Sequence, residues 1–402
     1  MSRLAAIVLH FVERLRSVYY WLTFRRYIGF LALLTAAHIL FFFVYKTHPG
    51  VDGEIYQRIA RAIHTSPDWW GCGAFEGAFS PLFSIYLAAF WKLFGTTQWL
   101  FFLGNVVMAL LIALAAREVV RRLFDAQIAM WSSALFYGSM MTFYFTLYYR
   151  YELLSTLLLG LAMLFAVKYP VKIWAMIAAG LCFGLAVLAT ARILSLLPGF
   201  MLLLWACRSD LPRPRAALHM VLFVLSTALA IAPWTYRNYV CTDRFIPLTP
   251  NGGIVFYMGY NGNADAGYLN QHNFPPPFDT LSPGNDSAFY RGAREFMLAH
   301  PGRALQLAAK KAYLTWRIHY FDSSFFYPFF WIGVLILPKL MGRRNRGQAV
   351  AVQIMFLGYT LFHCLYSARY YYLIPVLPFI YAVAVATQHR IGRYILKHWQ
   401  TA

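Results

Sequence analysis

The chain has 402 residues, 60% of them hydrophobic, 19% aromatic and only 12% charged, with 35 Lys and Arg against 15 Asp and Glu for a net charge of +20. Soluble proteins carry roughly 25% charged residues, so this composition excludes a soluble enzyme on a single anchor and indicates a polytopic α-helical membrane protein. The positive charge does not signal nucleic acid: the basic residues sit in short loops between apolar spans (Arg117, Arg121 and Arg122; Lys168 and Lys172; Arg208, Arg213 and Arg215; Lys339, Arg343, Arg344 and Arg346), the positive-inside pattern, and no nucleic-acid motif accompanies them.

Residues 1–26 form a basic amphipathic stretch carrying Arg3, Arg14, Arg16, Arg25 and Arg26. They lack a short apolar core with a small-residue cleavage site and are expected to stay in the mature protein. Apolar segments follow near 27–45, 81–94, 98–116, 127–147, 153–168, 173–190, 193–207, 216–233, 324–340, 348–366 and 371–388. Each reads as a helix, because no open sheet can span lipid. Arg390, Arg393 and Lys397, with the N-terminal arginines, place both termini in the cytoplasm. An even number of crossings is then required, and the segment 81–94, which opens with Pro81, is the one that reads as re-entrant or tilted. Two loops face outward, 46–80 and 234–323. The second carries turn signals in NGG (251–253), NGN (261–263), PPP (275–277) and PGN (283–285), then a helical stretch over 287–320 broken at Pro301. No repeat divides the chain, so residues 1–402 read as one integral membrane domain.

Acidic residues are scarce, so Asp52 and Glu54 in VDGEIYQRIA (51–60), just past the first apolar span, need a reason. Ile55, Ile59 and Ile63 make a helical stripe, which predicts an amphipathic helix on the membrane surface over 54–64. Asp52 reads either as its N-cap or as a chemical group, and both are compatible, since a cap points to where the helix dipole favours anions. Arg150, Arg192, Arg237 and Arg369 all fall on the outer face by parity, where few basic residues are expected. Four arginines converging there suit a phosphate through their bidentate forks; the alternative is snorkelling to lipid headgroups. Tyr56, Trp69, Trp70, Tyr148, Tyr149, Tyr151, Trp234, Tyr236, Tyr370, Tyr371 and Tyr372 cluster around these sites, as an interfacial aromatic belt or as sugar-stacking and lipid-contacting groups. The histidines show no metal spacing, and no nucleotide-binding or hydrolase motif is present. Of the five cysteines, none form a CxxC pair; Cys72 and Cys241 share the outer side, where a disulfide is open to them.

In order along the chain, VDGEIYQRIA, FSPLF (79–83), RYELL (150–154), GLAVLATARIL (184–194), PWTYRNYVCTDRFIPLTPNGG (233–253), LAHPGRALQLAAKKAYLTW (298–316) and ARYYYLIPVLP (368–378) resemble the GT-C superfamily of polyprenyl-phosphate-sugar glycosyltransferases. The likeness is to bacterial family 39, the protein O-mannosyltransferase and lipid A aminoarabinose transferase relatives (the RgtA/B/C/D-like group). Two departures stand out. Gly53 separates the two acidic residues that are adjacent in the family, and Ser80 replaces a basic residue before a Pro-Pro-Leu that here has lost one proline.

The resemblance implies an all-α GT-C-like bundle of about 10–11 transmembrane helices, with juxtamembrane helices in the two outer loops. It implies inverting transfer of a sugar from a polyprenyl-phosphate donor to a hydroxyl of a glycan, lipid or protein acceptor at the outer face of a bacterial inner membrane. In that reading Asp52 is the general base, with Glu54 as substitute or orienting group. Arg150, Arg192, Arg237 and Arg369 hold the donor phosphate. Tyr56, Glu152, Tyr236, Asn238 and Tyr370 contact sugar or lipid, Glu152 alternatively orienting an arginine. No cofactor is required, although a divalent cation at the acidic pair stays open. A transporter or flippase for a lipid-linked sugar is the competing class, since charged residues inside membrane spans fit it as well.

Overall fold

The computed structural model describes residues 3–47, 50–65, 79–266, 286–317, 321–366 and 368–399. The chain runs α1 (Arg3–Trp21), α2 (Phe24–Tyr45), α3 (Gly50–Thr65), α4 (Pro81–Phe94), α5 (Gln98–Leu123), α6 (Ala126–Gly138), α7 (Met140–Leu147), α8 (Glu152–Lys168) and α9 (Ile173–Ala189). A 3-10 turn, Ala191–Leu196, leads into α10 (Leu197–Ala206), α11 (Arg213–Thr242), α12 (Gly252–Gly259), α13 (Asp286–Ala299), α14 (Pro301–Trp316), α15 (Phe321–Leu335), α16 (Leu337–Leu340) and α17 (Arg346–Leu365). A second 3-10 turn, Tyr370–Val376, precedes α18 (Leu377–Trp399). Among the described residues no sheet forms, as the apolar composition requires of a chain that must satisfy its backbone inside lipid.

Every expected apolar segment is helical, and five helices among the described residues are each long and apolar enough to cross a membrane: α2, α5, α11, α17 and the stretch Tyr371–His398. The segments 81–94, 173–189, 191–206 and 324–335 are shorter apolar helices. Some boundaries differ from expectation. Segment 127–147 breaks at Ser139, whose side chain accepts from the Thr142 N–H and so restarts the chain as α7. The PWTYRN stretch belongs to α11 rather than to the outer loop, so that loop begins after Thr242. Pro233 lies inside the helix, which membrane helices tolerate because neighbours satisfy the freed backbone groups. Pro301 opens α14 at its first turn, the break expected there.

Packing sorts the helices by depth. In α2 only 17% of the apolar window is buried, and Leu33, Leu40 and Val44 are left open to lipid, whereas the window in Tyr371–His398 is 89% buried and forms the centre of the bundle. α9 and α11 approach through the small-residue pair Gly180 and Gly184. A Cβ on Gly184 would meet the Thr227 carbonyl oxygen at 2.6 Å and the Ala230 Cβ at 2.7 Å. Thr227 Oγ1 donates to the Gly180 carbonyl at 3.1 Å. Gly180 faces Phe223 and Ser226 while Gly184 faces Thr227 and Ala230, so the two helices run parallel and end on the same side.

That side is capped by α12, α13 and α14 around a second small core of Tyr257, Tyr260, Phe289, Ala293 and Leu307. The cap is fastened to α17: the Tyr260 hydroxyl donates to the Cys364 carbonyl (2.6 Å), Lys311 Nζ to the same oxygen (3.2 Å), and Trp316 Nε1 to Thr360 Oγ1 (3.0 Å). At the opposite end, Trp131 Nε1 donates to the Tyr19 carbonyl (3.0 Å) and Asn345 to the Leu123 carbonyl (3.2 Å), which gathers α1, α5, α6 and the start of α17. Cys241 is disulfide-bonded while Cys182, Cys207 and Cys364 are free; Cys72 lies outside the described residues, as do Trp69 and Trp70.

Candidate active site

The first carboxylate is presented by α3. Gly50, at φ +64°, opens this helix in the left-handed region that favours glycine. The helix therefore starts two residues before Asp52, which lies in its first turn instead of capping it. A carboxylate is still favoured there by the helix dipole. Asp52 and Tyr56 are four apart and share a face. Tyr56 is buried, with the rings of Phe83, Phe79 and Tyr151 at 5.2, 5.5 and 5.9 Å. Glu54 is exposed, roughly 200° round the helix from Asp52 at 3.6 residues per turn. It does not join this face, because alternate residues on a helix diverge.

The central arginine comes from the link between α7 and α8. Asn105, buried in α5, donates to the carbonyls of Thr146 (3.1 Å) and Tyr148 (3.5 Å), and the Tyr149 ring stacks on Phe101 at 4.1 Å. This holds the link and aims Arg150 at two carboxylates. Its Nη1 lies 3.2 Å from Asp52 Oδ2. Its Nη2 and Nε donate to Glu152 Oε1 at 2.8 and 3.1 Å, and Nε also reaches Oε2 at 3.2 Å. The Glu152 side chain is 1% exposed and that of Asp52 38%. Arg150 and Glu152 thus form a buried, forked pair, with Asp52 on its accessible rim. Burial opposes the Arg150 charge, but Glu152 together with Tyr151 and Tyr371 more than offsets it, so the guanidinium pKa lies above its ordinary value.

The 3-10 turn after α9 supplies Arg192. Its guanidinium sits 3.6 Å over the Tyr372 ring and 5.6 Å from that of Tyr151. Among the described residues it makes no ion pair with a carboxylate, so aromatic faces hold this half-buried positive charge, with Glu152 acting on it from farther away. Tyr371 lies between two cations, with Arg150 at 4.7 Å and Arg369 at 5.9 Å from its ring. The turn bearing both tyrosines is held by the Tyr359 hydroxyl, which donates to the Tyr372 carbonyl, and by His363 stacked 5.2 Å from the Tyr372 ring. The pocket behaves as one electrostatic unit around Tyr56. Burial, then Glu152 and Asp52, push the Tyr56 hydroxyl pKa up, while Arg150 and Arg192 pull against them.

The structure therefore brings together Asp52, Arg150, Glu152, Arg192 and Tyr56, with Arg369 one ring away. Other expected residues stand differently. Asn238 donates to the carbonyls of Ile246 and Leu248, both at 3.0 Å, and Trp234 Nε1 donates to Leu248. Arg237 donates to Asn238 Oδ1 at 3.3 Å and lies 5.0 Å from the Trp234 ring. Asn238 and Trp234 thus fasten the chain that leaves α11, and Arg237 lies against both. Tyr236 is 67% exposed on the outside of the same helix. The side chain of Tyr370 lies outside what the structure describes. Asn105, Tyr359 and His363 are supports that sequence reasoning missed. The one available signal was a polar group inside an otherwise apolar span.

Arg150 already occupies the position between Asp52 and Glu152, and Glu54 faces away. Among the described residues no group of three or more His, Cys, Asp or Glu could hold a metal.

No family model matches this chain, and no curated protein matches it. Solved structures do. An oligosaccharyltransferase of Archaeoglobus fulgidus, in complex with Zn and sulfate, aligns with TM-score 0.52 at 17% identity, over 92% of this chain and 50% of that one. Its apo form also gives 0.52, at 14% identity, over 91% and 50%. ArnT from Cupriavidus metallidurans aligns at 0.43 and 17% identity, over 91% and 78%. The chain spans about half the length of the oligosaccharyltransferase it matches. It therefore has the all-α, polytopic membrane-bundle fold of that archaeal protein, a GT-C-like fold.

Proposed function

We propose that this protein is a membrane glycosyltransferase that takes a sugar from a polyprenyl-phosphate donor and transfers it, with inversion, to a hydroxyl of a glycan, lipid or protein acceptor. The order of its motifs resembles that of bacterial family 39. The observation that carries the reading is an accessible carboxylate beside cations already held in position: Asp52 on the rim of the Arg150–Glu152 pair, near an Arg192 that lacks a carboxylate partner among the described residues.

The chemistry follows from those charges. An acceptor oxygen attacks the anomeric carbon from the face opposite the phosphate, and Asp52 takes the hydroxyl proton as the C–O bond forms. A positioned base contributes about 10²–10⁴-fold. The bond from the anomeric carbon to the phosphate oxygen breaks, and its electron pair leaves with the phosphate. The negative charge gathering there is met by preorganised guanidiniums, Arg192 first, with Arg369 across Tyr371. Glu152 neutralises and orients Arg150, which in turn sets the Asp52 carboxylate.

The site faces outward in this reading, with both termini cytoplasmic. Cys241 is disulfide-bonded at the end of α11 that runs parallel to α9, the end on which Arg192 lies. Disulfides persist in oxidising compartments. The arginines of α1 and α18 collect at the other end.

The test is turnover of a polyprenyl-phosphate sugar by purified protein in vesicles. Asp52→Asn should lower it about 10²–10⁴-fold while the protein still melts as wild type. Donor that crosses the bilayer without being consumed would instead identify a flippase.

A further inference from the structure

The geometry points to a binding site for an anionic phospholipid between α1, α6, α15 and α18, at the end of the bundle far from Asp52. A cavity of about 190 Å³ opens there. Its walls are apolar, from Val12, Leu135, Phe326, Val385 and Leu396, and its rim carries Arg16 and Arg393. Arg393 lies 16 residues beyond the start of α18, about 24 Å along the axis at 1.5 Å per residue. The cavity is thus separate from the Tyr371–Arg150 pocket at the other end of that helix.

Three observations say what would fill it. Arg16 and Arg393 are both exposed, and among the described residues neither has a carboxylate partner. The Asp125 carboxylate nearby is already engaged, accepting from the Gln127 and Ile128 backbone N–H groups at 2.8 Å and from the Tyr19 hydroxyl. Gln388, which lines the cavity, has its side-chain amide nitrogen buried without a hydrogen-bond partner. A buried donor left unsatisfied is costly, so an acceptor oxygen is wanted inside.

An anionic phospholipid matches the arginines, Gln388 and the apolar wall together. Its phosphodiester meets the two guanidinium forks, an ester carbonyl reaches Gln388, and an acyl chain lies along the apolar wall. The exposed rings of Tyr20, Trp21 and Phe24 on α1 and α2 place this rim at the membrane interface, where such a headgroup is found. The bound lipid would join α1 to α18, beside the stacking of Tyr19 on His389 at 4.0 Å.

Native mass spectrometry of the full-length protein, titrated with phosphatidylglycerol, phosphatidylcholine or inorganic phosphate, tests this. Phosphatidylglycerol should be retained preferentially. Replacing both arginines (R16A with R393A) should weaken it roughly 30-fold, at about 1 kcal/mol per basic residue near an anionic surface. Gly392→Leu, which fills the cavity and leaves both arginines in place, should also displace the lipid; the Val12 Cγ1 atom lies 3.6 Å from where a Cβ at 392 would sit. Retention of the two phospholipids alike, binding of inorganic phosphate as well as of the lipid, or unchanged phosphatidylglycerol binding by a folded Gly392→Leu variant would each overturn the assignment.

Discussion

Glu152→Gln separates a positioning pair from a general surface charge. Glu152 is 1% exposed and takes three close contacts from Arg150, at 2.8, 3.1 and 3.2 Å, while the Arg150 side chain is itself only 14% exposed. Removing one partner of such a buried pair costs about 3–5 kcal/mol, because it strands the other charge. Asp52 remains beside Arg150, but at 38% exposure it contributes less than about 1 kcal/mol. We expect Glu152→Gln to lose about 3 kcal/mol in reversible denaturation of the detergent-solubilised protein, and to lose donor turnover as Arg150 swings toward Asp52. Arg150→Met with Glu152→Gln removes both charges together. It should recover most of the stability and none of the turnover. With wild type and Arg150→Met alone, these variants form a double-mutant cycle, and a coupling below about 0.5 kcal/mol would show that Arg150 and Glu152 are neighbours without being partners.

Tyr371→Leu removes the ring between Arg150 and Arg369; at about 1 kcal/mol for a partly exposed cation–π contact, the donor KM should rise roughly fivefold with protein melting little changed. Gly184→Leu forces a side chain into the Thr227 carbonyl and Ala230, and overpacking of this kind costs about 1–3 kcal/mol; thermal unfolding should shift down while Leu185→Ala, a neighbour on the same helix, shifts it less. Lys311, buried under the cap of α12, α13 and α14, has its pKa lowered by burial from 10.5 to about 7. Between about 7 and 10.5 the unfolded chain therefore binds a proton that the folded chain does not. Stability should climb with pH across that window by up to about 1.4 kcal/mol per pH unit and be lost as pH falls toward 7. Denaturation of Lys311→Met across the same range should show that slope flattened.

Periodicity and composition determined the helices of this protein and the end of the bundle on which its basic residues collect. An apolar run of membrane length has one way to satisfy its backbone in lipid, so each expected span is helical, and the break at Pro301 follows from a residue that cannot donate. Asp52 and Arg150 were legible as chemical candidates because charge beside a membrane span is costly and scarce. Tertiary structure decided which candidates meet. Glu54 is as acidic as Asp52 but lies on the other side of α3, and Arg237 is as basic as Arg192 but lies against Asn238 and the Trp234 ring at the end of α11. The roles of Tyr371 and Tyr372 could not be told from an interfacial belt in the sequence, since both need the same ring at the same depth. Residues separated by a hundred positions or more become partners only where helix packing brings their ends together, and no local pattern encodes that distance.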